Sequence, residues 1–263
     1  MAALTYADRL IVFFEQLRSA SVRILLLDYD GTLAPFRVER DRAYPYPGVS
    51  GLLSQIIASG TRVVLISGRP AHDLLRLSGI DPPPEIWGSH GLERLHPEGS
   101  YEVEPLSPEQ EAGLDKASEF FHAQSMADRV ERKPGSVALH WRGLASQDVE
   151  GLRDKVQQVW RELAYHSSLE LLDFDGGLEI RVQGKDKGNA VRAILKESNS
   201  DAAIAYLGDD RTDEDAFRAL RGRGLTVLVR EQLRPTLAEI QLRPPEELIE
   251  FLKEWLSASG HKD

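Results

Sequence analysis

An apolar run at residues 22–27 stops abruptly at Asp28, and the chain continues Tyr29-Asp30-Gly31-Thr32-Leu33. A strand apolar at every position but Arg23 favours burial on both faces, inside a parallel sheet with helices on each side. Its end puts two carboxylates one residue apart at the carboxyl edge of that sheet, where open α/β folds bind ligands. An Asx-turn at the strand end would account for one aspartate but explains the pair less well.

The same grammar continues. Helix patterns at residues 47–59 and 70–78 alternate with strand patterns at 62–66 and 85–88, and Asp81-Pro82-Pro83-Pro84 breaks the second helix. It returns later as helix 187–196, strand 203–207, helix 212–220, strand 225–229 and a closing helix over 244–256. Between these halves the pattern changes. Residues 105–124 and 147–163 read as helices, while 136–142, 169–174 and 178–182 read as strands, the last two joined by Asp175-Gly176-Gly177. The expected fold is therefore α/β: a Rossmann-like parallel-sheet core from residues 1–104 and 182–263, with an inserted α+β domain at 105–181.

Three further segments carry chemistry. Ser67-Gly68-Arg69-Pro70 follows a strand and opens a helix, so the Ser67 hydroxyl and the first backbone N–H groups suit a phosphate oxygen. Lys187, in Gly184-Lys185-Asp186-Lys187-Gly188, sits at a helix start, where a cation opposes the macrodipole and so invites a reason. In Gly208-Asp209-Asp210-Arg211-Thr212-Asp213, two adjacent acids at a strand tip repel one another unless a cation neutralises them. Oxygen-only ligands beside a phosphate site point to Mg²⁺.

With 263 residues and no cysteine, the chain excludes disulfides, zinc–thiolate sites and thiol nucleophiles. Its formal charge of -10 and lack of a Lys/Arg block argue against a nucleic-acid partner. The N-terminal residues read as an amphipathic helix, not a signal peptide, and no apolar run approaches the roughly 20 residues of a membrane span. No membrane partner and a cytoplasmic location are expected.

In this order, the four motifs resemble the haloacid dehalogenase superfamily of phosphatases. The resemblance implies that Asp28 attacks phosphorus and forms an aspartyl phosphate, and that Asp30 protonates the leaving alkoxide and then activates water. It implies phosphoryl binding by Ser67, Gly68 and Lys187. It also implies Mg²⁺ held by the Asp28 carboxylate, the Asp30 carbonyl and Asp209, with Asp210 and Asp213 behind them or as alternative ligands.

The inserted domain narrows the substrate. Alternation puts Val137, Leu139 and Trp141 on one face of their strand and Ala138, His140 and Arg142 on the other; Glu179 and Arg181 likewise oppose Leu178, Ile180 and Val182. Gly88-Ser89-His90-Gly91-Leu92-Glu93, Glu131-Arg132-Lys133-Pro134-Gly135-Ser136, His140-Trp141-Arg142 and Glu179-Ile180-Arg181 resemble the trehalose-6-phosphate phosphatases. In that family the inserted domain is a cap that reads the disaccharide. The resemblance places Lys133, His140 and Glu179 on sugar hydroxyls, with Arg142 and Arg181 as further candidates. The chain departs from the family at Val182 (usually proline), Trp141 (usually tyrosine) and Lys185-Asp186 (usually Val-Asn). A phosphatase for sucrose phosphate or mannosyl-phosphoglycerate is the near alternative, a phosphosugar-binding module without catalysis the distant one. The length and the large inserted domain argue against a receiver-type module, and the cap with acidic Asp30 against a phosphomutase.

Overall fold

The computed structural model describes residues 6–37, 39–122, 126–141, 143–174 and 176–260. In chain order the first elements are α1 (Tyr6–Ser19), β1 (Arg23–Leu27), α2 (Val49–Ala58), β2 (Arg62–Ile66), α3 (Ala71–Ser78), β3 (Glu85–Gly88), β4 (Glu93–Leu95) and β5 (Tyr101–Val103). Next come α4 (Pro108–His122), β6 (Val130–Lys133), β7 (Ser136–His140), α5 (Ser146–Ser167), β8 (Leu169–Phe174) and β9 (Gly177–Val182). The chain closes with α6 (Lys187–Glu197), β10 (Ala203–Gly208), α7 (Asp213–Leu220), β11 (Leu225–Val229), β12 (Ile240–Leu242) and α8 (Glu246–Ser259). These divide into two compact units, Met1–Glu102 with Asp186–Asp263, and Val103–Lys185.

The first unit is built on an eight-stranded sheet in the order β12-β11-β10-β1-β2-β3-β4-β5. The strands from β12 to β3 pair in parallel, and β4 joins β3 antiparallel. Every residue of β1 is buried, because alternate side chains serve two apolar layers. Leu25 and Leu27 pack with Phe14 and Leu17 of α1, Leu53 and Ile56 of α2, and Phe251 and Trp255 of α8. Ile24 and Leu26 pack on the other face with Val191 and Ile194 of α6 and Phe217 of α7. Each buried leucine contributes about 1.5–3 kcal/mol, so the strand bearing Asp28 is firmly anchored.

The second unit is a four-stranded antiparallel sheet, β6-β7-β9-β8, with α4 and α5 on one face. Leu114, Phe121, Val156 and Trp160 of the helices meet Val137, Leu139, Leu178 and Ile180 of the strands. The remaining side chains of β7 and β9, including His140, Glu179 and Arg181, therefore point to the face opposite α4 and α5. The Val182 N–H donates to the Gly135 carbonyl at 2.9 Å, a bond that a proline at this position would lack.

Four strands escaped the sequence reading. β4, β5, β6 and β12 are three or four residues long, too short for period-two alternation to register. α5 continues four residues past 163, to Ser167, and α8 begins at Glu246, after the Pro244-Pro245 pair, and runs to Ser259. Among the described residues, no helix is long and apolar enough to cross a membrane.

Candidate active site

β1 delivers Asp28 to the carboxyl edge of the sheet, between β10 and β2. The Asp28 N–H donates to the Leu207 carbonyl at 2.9 Å, so the pairing with β10 runs to the last residue before the turn. Beyond it the chain closes on itself: the N–H groups of Leu33 and Ala34 both donate to the Tyr29 carbonyl, at 2.9 and 3.0 Å. Gly31 makes this turn with φ +87, and a Cβ there would land inside the Asp209 carboxylate.

Asp28 does not stand alone. Lys187 Nζ donates to Asp28 Oδ1 at 2.6 Å and to Asp213 Oδ1 at 2.8 Å, while Thr32 Oγ1 donates to Asp28 Oδ2 at 3.1 Å. Lys187 opens α6, and Asp186 caps that helix by accepting from the Asn189 N–H at 2.8 Å. A lysine at this end loses about 0.3–1 kcal/mol against the helix dipole. Two charge-assisted hydrogen bonds outweigh that.

Asp213, in the first turn of α7, is a hub. Its Oδ1 also accepts from Tyr206 OH at 2.6 Å, and its Oδ2 accepts from the N–H groups of Asp209 (3.0 Å) and Asp210 (2.9 Å). With four donors its oxygens are filled. Its carboxyl rests directly over Gly208, where a Cβ would overlap it. Asp213 thus shapes the turn that presents Asp209, and Asp210 contributes its N–H to the same arrangement. From behind, Arg234 Nε and Nη2 donate to the carbonyls of Asp209 (3.3 Å) and Asp210 (2.7 Å).

Asp28, Asp209 and Asp213 are all buried, and each offers an oxygen within 4.8 Å of the others. Three carboxylates meet one ammonium there. Burial pushes the Asp28 carboxyl up to about 7, against the pull of Lys187 and with Asp213 and Asp30 adding to the rise. The Asp209 carboxyl is driven well above its ordinary value by burial and by Asp28 and Asp213. Burial alone would lower Lys187, but Asp213 and Asp28 outweigh it and hold the ammonium well above its ordinary value. Arg230 approaches Asp209 Oδ2 only to 3.8 Å, outside hydrogen-bond reach. A buried oxygen cluster with excess negative charge fits a metal ion, with Asp28 and Asp209 better placed to ligate than the saturated Asp213.

Asp30 is held by a residue to which the sequence reading gave no role. Arg69 clamps its carboxylate bidentately through one edge of the guanidinium, Nε to Oδ2 at 2.6 Å and Nη2 to Oδ1 at 2.7 Å. The third contact, Nη1 to the Arg40 carbonyl at 2.8 Å, ties the pair to the loop after β1. Ser67 and Gly68 lie in the turn between β2 and α3. The Arg69 N–H donates to Ser67 Oγ at 3.3 Å, and the His90 N–H donates to the Ser67 carbonyl at 3.0 Å.

In the second unit, Lys133 Nζ lies 2.5 Å from Glu179 Oε1, which also accepts from Ser136 Oγ at 2.7 Å. The other candidates have neighbours of their own: His140 Nε2 is 3.2 Å from Glu131 and packs edge-on to Phe174, and Arg181 pairs with Glu170 at 2.8 Å. Arg142 lies outside the described residues.

Arg69, Tyr206 and Arg234 are the residues that motif reading passed over. Arg69 had a visible signal, an arginine directly after Ser-Gly in a ligand-binding turn. Tyr206 had a weaker one, a polar ring on an otherwise apolar strand. Arg234 is 21 residues beyond the nearest motif and had none.

Comparison with known proteins adds an independent line. Residues 26–245 match the family model described as trehalose-phosphatase. A maize (Zea mays) trehalose 6-phosphate phosphatase is 30% identical over 261 residues, covering 90% of this chain and 70% of the relative. The C-terminal domain of Candida albicans trehalose-6-phosphate phosphatase superposes with TM-score 0.77 at 19% identity, covering all of both chains. A phosphatase of the haloalkanoate superfamily from Bacteroides thetaiotaomicron shares the fold at TM-score 0.59 and 17% identity, covering 90% of this chain and 96% of its own.

Proposed function

The chain belongs to the trehalose-phosphatase family of phosphoric monoester hydrolases, within the haloacid dehalogenase superfamily, and on that premise we propose that it hydrolyses trehalose 6-phosphate to trehalose and phosphate through an aspartyl phosphate on Asp28. The observation that carries the proposal is the buried Asp28–Lys187–Asp213 chain at the carboxyl edge of the parallel sheet, beside Asp209.

Asp28 attacks phosphorus, and the bond from phosphorus to the sugar oxygen breaks. Asp30, turned out of the Arg69 clamp in which both its oxygens accept and carrying a proton, gives that proton to the leaving sugar oxygen. In the second half Asp30 takes a proton from the water that attacks phosphorus, which releases phosphate and restores the Asp28 carboxylate. Ser67, the Gly68 N–H and Lys187 hold the phosphoryl oxygens; two of the three Lys187 N–H groups are spent on Asp28 and Asp213, leaving one for the substrate. The Asp28 carboxylate, the Asp30 carbonyl and Asp209 would hold Mg²⁺, which would supply positive charge that lets an anionic nucleophile approach an anionic phosphoryl group. Asp213 and Asp210 shape that site from behind.

The unit around residues 105–181 is the cap in this reading, and the face of its sheet opposite α4 and α5 binds the sugar. Lys133 and Glu179 are the main contacts, with His140, Arg142 and Arg181 around them. The reading is tested by phosphate release from a panel of sugar phosphates in Mg²⁺. Trehalose 6-phosphate should be preferred, and Asp28→Asn should be inactive yet folded. Preference for sucrose phosphate or mannosyl-phosphoglycerate would keep the chemistry and change the sugar. Substantial turnover by a well-folded Asp28→Asn would remove the covalent mechanism.

A further inference from the structure

Tyr206 breaks the pattern of its layer. Ile204, Tyr206 and Gly208 share one face of β10, and the layer they enter is otherwise formed by Ile24, Leu26, Val64, Ile66, Val191, Ile194 and Phe217. A phenol costs stability in such a layer unless its hydroxyl finds a partner, and a phenylalanine would fill the same space with no such requirement. The hydroxyl reaches the carboxyl edge of the sheet and donates to Asp213 Oδ1 at 2.6 Å. That same oxygen accepts from Lys187 at 2.8 Å.

We propose that Tyr206 is a positioning residue for Lys187: its hydroxyl fixes the Asp213 carboxylate in the one orientation that holds the lysine against Asp28. This rests on the phosphatase reading above. The two oxygens of Asp213 have separate duties. Oδ2 gathers the N–H groups of Asp209 and Asp210, which shapes the metal side, while Oδ1 faces the lysine. Tyr206 braces the lysine side only. It also meets α7 a second time, because its ring packs edge-on to Phe217 at 5.7 Å, one helical turn beyond Asp213. The strand tyrosine thus sets the first turn of α7 through two contacts, one polar and one apolar. Without the hydroxyl, Oδ1 keeps only Lys187 while Oδ2 still holds two N–H groups, so the lysine side of the carboxylate alone loosens. The ammonium then loses the rigid anchor that aims its remaining N–H.

Tyr206→Phe separates the two contacts, since it keeps the ring against Phe217 and removes one oxygen. The purified full chain in Mg²⁺ should lose about tenfold in kcat, equally on trehalose 6-phosphate and on an aryl phosphate, because the phosphoryl centre is common to both. Orthophosphate, measured directly by calorimetry, should bind several-fold more weakly, and the Mg²⁺ concentration for half-activation should not move. In an Asp213→Asn background the same change should cost less than about twofold, since both substitutions cut one chain of contacts. Wild-type kcat and orthophosphate affinity in Tyr206→Phe, with only a lowered Tm, would make the hydroxyl merely a satisfied buried group and overturn the proposal. So would a full additional loss on top of Asp213→Asn, or a shift confined to the Mg²⁺ requirement. Should the wild type hydrolyse no phosphate monoester, the phosphatase reading fails by itself. The orthophosphate comparison still decides what Tyr206 does.

Discussion

Lys187 and Asp28 are partners in one ion pair, yet replacing them should move stability in opposite directions. Lys187→Met removes the ammonium that Asp28 and Asp213 share at 2.6 and 2.8 Å, and leaves both carboxyls buried beside Asp209. Breaking a buried pair from one side costs about 3–5 kcal/mol. For a protein of this size that corresponds to a Tm lower by roughly 10 °C. Asp28→Asn keeps the shape of the side chain and an oxygen for Lys187, but removes one of three crowded negative charges. Asp213 still neutralises the lysine. In chelator at pH 7.5 its Tm should equal or exceed the wild-type value, while catalysis is lost. The pH dependence follows from the raised Asp28 carboxyl. Between its ordinary value of 3.8 and about 7, the folded protein keeps a proton that the unfolded chain has released. Stability of the metal-free wild type should therefore fall as pH rises through that window, and Asp28→Asn should flatten the slope. Thermal unfolding of the three proteins in chelator, from pH 5 to 8, checks both statements. Equal destabilisation by Asp28→Asn and Lys187→Met would refute the picture of an overcharged cluster restrained by one lysine.

Chelation should abolish phosphate release and added Mg²⁺ should restore it; equal rates in chelator and in Mg²⁺ would remove the metal from the mechanism. Asp30→Asn should lose far more activity on trehalose 6-phosphate than on an aryl phosphate with a good leaving group. Arg69→Lys, which cannot form the bidentate clamp on Asp30, should show a milder loss with the same substrate dependence. Glu179→Ala should cost about 1–3 kcal/mol in kcat/KM on trehalose 6-phosphate and little on the aryl phosphate. An equal loss on both substrates would assign Glu179 to the fold.

The parts of the fold that were legible in the sequence are those whose side chains follow a period. β1 reads as a buried strand because both faces of the sheet demand apolar residues, and β7 and β9 alternate because only one face packs on helices. Short strands such as β4 and β12 leave no such record, since three residues satisfy either period. The candidate site was legible where a motif sits at a strand end. Arg69 was readable as a neighbour of Ser67 but not as the clamp on Asp30. That contact joins residues 39 positions apart and depends on how the β1 loop folds back.

The acidic run Asp209-Asp210-Arg211-Thr212-Asp213 shows why composition alone cannot divide labour among like residues. As a string, its three aspartates are equivalent candidates for a cation. Backbone geometry separates them, because Asp213 falls in the first turn of α7 and lies over Gly208, where the preceding turn points two N–H groups at it. A carboxylate that has accepted two N–H groups, a phenol and an ammonium has no oxygen left to offer cheaply. Asp209, whose own N–H is consumed by Asp213, keeps its carboxylate facing Asp28 and Gly31. The helix start thus makes one aspartate a scaffold, while Asp209, with Arg230 only at 3.8 Å, keeps its carboxylate in the crowded acidic cluster where a metal ion would offset the like charge.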